Sequence, residues 1–179
     1  MQKRFLGLII FIVAVAALIG SLKVLNWTPG VLQEGLPNIY TNIEEVKSRL
    51  HIKDIRVPSY YPQGLHWPPA RITAQSRPYI MTLMEFRRQE FSSISLAISQ
   101  TALPHPPPNV ELKMIRTNER VNLPIKGRMA VLEVGQCRNT EQCCRISWDE
   151  PPYHIEVIMI ASPAEVVRIA ESMTYDPTR

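Results

Sequence analysis

Apolar residues recur along this chain in three different rhythms. From Phe5 to Leu22 they are almost continuous, interrupted only by Gly7, Gly20 and Ser21, with no charge. At 1.5 Å per residue, extending this run to Leu25 gives a helix of about 32 Å, enough to cross a bilayer core. Its twelve Leu, Ile, Phe and Val residues favour insertion by roughly 4–7 kcal/mol. The run therefore predicts a transmembrane helix over 5–25. Ala14-Val15-Ala16 has the small-residue pattern of a signal-peptide cleavage site, but it lies inside the apolar run, so retention is expected rather than cleavage.

The second rhythm is helical. Thr41 with Glu44 has capping-box spacing, and Ile43, Val46 and Leu50 follow on one face. Near the other end, Ser162-Pro163-Ala164-Glu165 combines a capping box with proline at the first helical position. Val166, Ile169, Ala170 and Met173 then form an apolar stripe.

The third rhythm is that of strands: Ser93–Ser99 and Arg120–Ile125 alternate, Tyr79–Phe86 is apolar on both faces apart from Thr82 and Glu85 and predicts a covered strand, and Arg71–Gln75 and Glu111–Ile115 are further strand candidates. Pro124 directs Arg120–Ile125 to a sheet edge. Met129–Val134 and Arg145–Trp148 predict a hairpin, and Tyr153–Ala161 a long strand. Pro104-His105-Pro106-Pro107-Pro108 is a stiff connector, read as an inter-strand loop, with docking into an aromatic-lined groove as its functional alternative. The sixteen prolines punctuate the chain throughout and favour short strands and turns over a helical bundle. The expected class is α+β: an N-terminal transmembrane helix, then an antiparallel β-sheet domain flanked by two short helices. The expected divisions are a cytoplasmic tail (1–4), the span (5–25), a linker (26–40) and an extracytoplasmic domain (41–175).

Charge adds orientation. Lys3 and Arg4 precede the apolar run and Lys23 closes it, so the positive-inside bias holds the N-terminus in the cytoplasm of a single-pass plasma (inner) membrane protein. Lys23 and Trp27 suit the headgroup region. The domain is then periplasmic or extracellular. Without Lys3 and Arg4, 18 basic residues face 16 acidic ones, too small an excess to suggest nucleic acid. Ala16/Gly20 and Ala17/Ser21 repeat small residues four apart, a spacing for packing against another membrane helix.

Cys137, Cys143 and Cys144 surround the tip of the predicted hairpin. An exported domain oxidises its thiols, and three allow one internal bridge. If Cys137 lies opposite Cys143, Val134 meets Ile146 and Leu132 meets Trp148, placing four apolar side chains on one face. That register predicts an outward-facing Cys137–Cys143 disulfide, with Cys144 turned into the core.

Residues arranged for chemistry are few. The four histidines show no metal-ligand spacing, and nucleophile-elbow, phosphate-loop and zinc-helix motifs are absent from the sequence. No metal site, cofactor or enzymatic activity is expected. Asp149-Glu150 before Pro151-Pro152 reads as a charged turn, and Tyr60, Tyr61 and Trp67 as packing beneath a turn, with a candidate binding groove as the functional alternative.

The order of a helix, Pro58-Ser59-Tyr60-Tyr61-Pro62-Gln63-Gly64, strands, Lys126-Gly127, Trp148, Tyr153 and a capped helix ending Ile169-Ala170-Glu171-Ser172 resembles a bacterial pattern over about residues 42–175. The pattern is an uncharacterised extracytoplasmic domain of membrane-anchored proteins, some of them anti-sigma factors. The resemblance implies an α+β fold and a non-catalytic, sensory or binding role. Only four residues precede the apolar run here, so a sigma-binding part is missing and an anti-sigma role is not expected. The cysteines and the proline connector fall outside the pattern. The leading expectation is a membrane-anchored, non-enzymatic interaction module, an accessory subunit meeting membrane lipid and other membrane or extracytoplasmic proteins. The alternative is a periplasmic small-molecule or lipid sensor.

Overall fold

The computed structural model describes residues 13, 15–23, 37–88, 93–137 and 141–175. Two compact units divide at Leu36/Pro37. In the first, residues 15–23 are helical and exposed. Nine residues rise only about 13 Å against the roughly 30 Å of a bilayer core. Among the described residues no helix is long and apolar enough to cross a membrane, which overturns the predicted transmembrane helix. Its residues 5–12, 14, 24 and 25 lie outside the described ones, as do Lys3, Arg4 and Trp27.

The second unit corrects the α+β class: it is mostly antiparallel sheet. Strands β1 (Asn38–Tyr40), β3 (Arg71–Gln75), β4 (Met81–Arg87), β5 (Ile94–Ala102), β6 (Met114–Ile125), β7 (Arg128–Cys137), β8 (Gln142–Glu150) and β9 (Tyr153–Met159) form one sheet. Its order is β1-β3-β4-β5-β9-β8-β7-β6. A small second sheet joins β2 (Arg56–Pro58) to β10 (Met173–Tyr175). The helices of this unit, α1 (Ile43–Leu50) and α2 (Pro163–Ser172), are only 8 and 10 residues long.

Alternation along the strands gives the sheet two unlike faces. One carries Ile72, Met84, Phe86, Leu96, Ile98, Leu132, Ile146, Trp148, Ile155 and Val157 beneath Ile43 and Val46 of α1 and Val166 and Ile169 of α2. The other is covered in part by the 103–113 connector, which packs Leu112 into a second cluster with Met81, Leu83, Ala97, Cys137, Cys143 and Ile158. Ser162 caps α2 as its spacing predicts, with Pro163 in the first turn. In α1 the cap is Asn42 rather than Thr41. Its Oδ1 accepts from the Glu45 N–H at 2.7 Å, and the Glu45 carboxylate reaches back to the Thr41 N–H and hydroxyl.

Of the two stretches read as strands, Glu111–Ile115 and Arg120–Ile125, only Met114 and Ile115 of the first are strand, while Glu111–Lys113 belong to the connector. Met114 and Ile115 join the second stretch in one strand, β6. It stays continuous because irregularities between Met114 and Arg116 and between Thr117 and Glu119 absorb the polar middle. The predicted 26–40 linker contains a strand at its end, since Asn38–Tyr40 pairs with β3.

Candidate interaction edge

The sheet ends on β6, and its position follows from a two-residue turn. Lys126 and Gly127 both have positive φ, 49° and 78°, and Ile125 faces Arg128 across them. That is the turn whose twist matches a right-handed hairpin. The closing pair of such a hairpin exchanges both backbone hydrogen bonds, and alternate pairs do so thereafter. Ile125, Leu123 and Val121 thus aim their backbone groups at β7. Arg120, Asn122 and Pro124 aim theirs at the open edge, where Pro124 has no N–H to forfeit. Lys126 Nζ donates to the Met173 carbonyl and fixes the turn against the β10 end of the fold.

Every residue from Ile115 to Asn122 is exposed, with Ile115 at 70% and Val121 at 53%. Leu123 is half-buried against the main core and Ile125 is buried in it. The side of β6 bearing Val121, Leu123 and Ile125 therefore continues the helix-covered face, with its outer part in solvent. Charge gathers here as well. Between residues 113 and 128, Lys113, Arg116, Arg120, Lys126 and Arg128 stand against Glu119 alone, a net +4 equal to that of the entire chain.

On the connector face, one row of laterally paired residues crosses seven strands: Arg71, Glu85, Ala97, Ile158, Arg145, Glu133 and Arg120. Arg71 Nε donates to Glu85 Oε2 at 2.6 Å, and Arg145 Nε donates to Glu133 Oε2 at 2.8 Å. Beside this row, Glu156 lies 3.7 Å from Arg145. Burial raises the Glu156 carboxyl above the usual 4.5, and Glu133 adds to the rise while Arg145 and His154 oppose it. The folded state thus keeps this proton to higher pH than the unfolded chain does. Ionising Glu156 costs no stability well below pH 4.5, where both states are protonated, and costs its full amount above the raised value. Glu156→Gln is expected to be more stable than the parent at pH 7, with the difference closing as pH falls toward 4. Urea midpoints measured across that range check it; a destabilised variant at pH 7 contradicts the assignment.

The remaining candidates fall in several places. Cys137 and Cys143 form a disulfide. Their register differs from the expected one, because Cys143 lies opposite Gly135 and Cys144 opposite Val134. The bridge is a diagonal between same-face neighbours. It is buried beneath the connector rather than outward-facing. Cys144 points to the opposite face, where its thiol donates to the Ala161 carbonyl at 3.3 Å and burial raises its pKa. A thiol on that face cannot attack the disulfide without disrupting β8. The bridged residues are six apart, so reducing the bridge is expected to cost about 2 kcal/mol. The melting point should fall by about 4–8 °C, as read by calorimetry of the reduced and oxidised chain.

Tyr61 and Trp67 meet over buried Phe86, with ring centroids 5.7–6.5 Å apart. Tyr60 is separated from them by its own contact, beneath the Arg168 guanidinium at 4.1 Å. Of the three predicted groove residues, Tyr61 and Trp67 thus touch each other while Tyr60 contacts Arg168, and Trp67 keeps one side exposed. Ala16, Ala17, Gly20, Ser21 and Lys23 lie on the exposed helical residues of the first unit, where the Ser21 hydroxyl donates to the Ala17 carbonyl.

Asp149 is exposed and lies 2.6 Å from Nδ1 of His154, whereas Glu150 is buried and pairs with Arg56 and Arg128. These adjacent carboxylates were expected to share one turn, but strand alternation sends them to opposite faces. Thr101 lies on the other side of His154 in the same lateral row, and its buried hydroxyl has no hydrogen-bond partner among the described residues. Among those residues no cluster of metal-ligating side chains occurs. The signal for the β6 edge was present in the sequence, as Pro124 at alternate spacing from basic residues, but it marked an edge without saying that no strand among the described residues pairs with it. No protein-family model, curated protein or solved structure matches the chain.

Proposed function

We propose that this chain is a non-enzymatic protein-interaction module working outside the cytoplasm, and that it recognises an extended segment of another protein along the β6 edge. The observation that carries the reading is the exposure of eight consecutive residues, 115–122, on the last strand of the sheet. Unpaired outward N–H and C=O groups on such a strand are what β-strand addition uses. The Cys137–Cys143 bridge supports the compartment, because disulfides persist where thiols are oxidised. The binding role is also the one that the resemblance to extracytoplasmic domains implies.

The test is site-specific photocrosslinking of the full chain in native cells. A photoreactive residue at Asn118 or Val121 should give a protein adduct, and one at Ile39 on the opposite sheet edge should not. Adducts from Ile39 alone, or from none of the three positions, would remove the reading.

A further inference from the structure

Resting on that edge reading, we infer that the segment docking on β6 is acidic, with a carboxylate side chain placed beside Arg120 and an apolar one beside Val121. The argument comes from the lateral row on the connector face. Arg71 is followed by Glu85, and after the apolar pair Ala97 and Ile158 come Arg145, Glu133 and Arg120. Each charge in this row has a neighbour of opposite sign, and the row stops at the sheet edge on a cation. Arg120 has no carboxylate within salt-bridge distance among the described residues, since the Glu133 beside it is held by Arg145. A strand added outside β6 puts one side chain next to Arg120 on this face, and a carboxylate continues the alternation. Neighbouring positions of the added strand point to the other face. There Val121, 53% exposed, and half-buried Leu123 extend the main core and favour an apolar side chain.

The same charges argue against the other occupants. A second copy docked edge to edge would bring a +4 segment against a +4 segment. A neutral strand would leave Arg120 unmatched. Like charges placed together penalise wrong partners more than matched charges reward right ones. The backbone supplies the attachment: Arg120 and Asn122 offer both N–H and C=O outward, and Pro124 offers C=O.

The experiment uses the full chain and three fluorescent decapeptides of alternating valine with glutamate, glutamine or lysine, read by anisotropy. The Val–Glu peptide should bind about fivefold more tightly than the Val–Gln peptide, the upper range for one opposite-charge lateral pair, and the Val–Lys peptide should bind most weakly. Arg120→Gln should equalise the Val–Glu and Val–Gln peptides without unfolding the chain. Asn122→Pro removes an outward N–H and no hydrogen bond to β7, so it should weaken all three equally while leaving the melting point near that of the parent. Equal binding of the Val–Glu and Val–Gln peptides by the parent chain overturns the acidic preference and leaves the edge reading intact. A preference that survives Arg120→Gln overturns the assignment to Arg120. If no peptide binds although Asn118 and Val121 crosslink a partner, strand addition of an acidic segment is wrong while β6 is still the docking edge.

Discussion

Replacing Arg71 by alanine is expected to destabilise the domain by about 3 kcal/mol, the lower end of the cost of leaving a buried carboxylate unpartnered, since the Arg71 side chain itself is 38% exposed. Arg71 lies on β3, where its Nε donates to Glu85 Oε2 at 2.6 Å and its Nη2 reaches Glu111 of the connector at 3.5 Å. The Glu85 side chain is 1% exposed, and its second oxygen is buried with no hydrogen-bond partner among the described residues. The hydrogen bond to Glu85 raises the already high Arg71 pKa further, against the opposing effect of burial. Once the guanidinium is gone, the carboxylate has neither its partner nor enough solvent to replace it. The loss should appear as a melting point lower by about 10 °C or more.

A double variant, Arg71→Met with Glu85→Leu, separates this account from simple packing. Removing both charges and keeping the volume should bring stability back to within about 1 kcal/mol of the parent, or above it. A double variant as unstable as Arg71→Ala would mean that the pair supports the connector through Glu111 instead. The connector matters because it covers the Cys137–Cys143 bridge on the same face.

The places where the sequence was informative share one property: the determining interaction is local. Ser162-Pro163 caps α2 because the cap and its N–H donor are three residues apart. The hairpin pairing is harder, and its outcome is instructive. The expected register set Cys137 opposite Cys143, while the structure sets Gly135 opposite Cys143 and Leu132 opposite Ile146. A slip of two residues leaves every side chain on its original face, so hydrophobic patterning rejects odd slips and is blind to even ones. Cys144 was therefore assigned the right face, and the disulfide was still found, as a diagonal. Whether the bridge faced solvent depended on Leu112, more than twenty residues away, and no local signal carried that. The β6 strand was divided in two because Thr117-Asn118-Glu119 lacks apolar alternation, yet those residues are where the irregularity falls. The predicted span differs for another reason: unbroken apolar composition implies a length of helix that the described residues do not contain.

The irregular half of β6 depends on one glycine, which leads to the second large effect. Gly135 lies opposite Thr117, between the two places where the β6–β7 register shifts. A Cβ built there would sit 2.0 Å from the Arg116 carbonyl oxygen, with the carbonyl carbon and Met114 Sδ each at 3.0 Å. The nearest atom belongs to the backbone, so no rotamer change can relieve the contact, and either β6 or β7 must move. Gly135→Ala is expected to cost about 3 kcal/mol, the upper end of the range for overpacking. The damage should be local. Residues 119–125 stay anchored by the Lys126-Gly127 turn and by buried Ile125, while Met114–Thr117 lift from β7. Amide hydrogen exchange should rise at 114–117 and remain slow at Val121 and Leu123, whose N–H groups face β7. Partner binding should weaken as well if contact extends along the full exposed run, and Asn122→Pro should weaken it without the loss of stability. An alanine variant that melts with the parent and protects 114–117 equally would show that the strand can shift aside, and that the bulge does not require glycine.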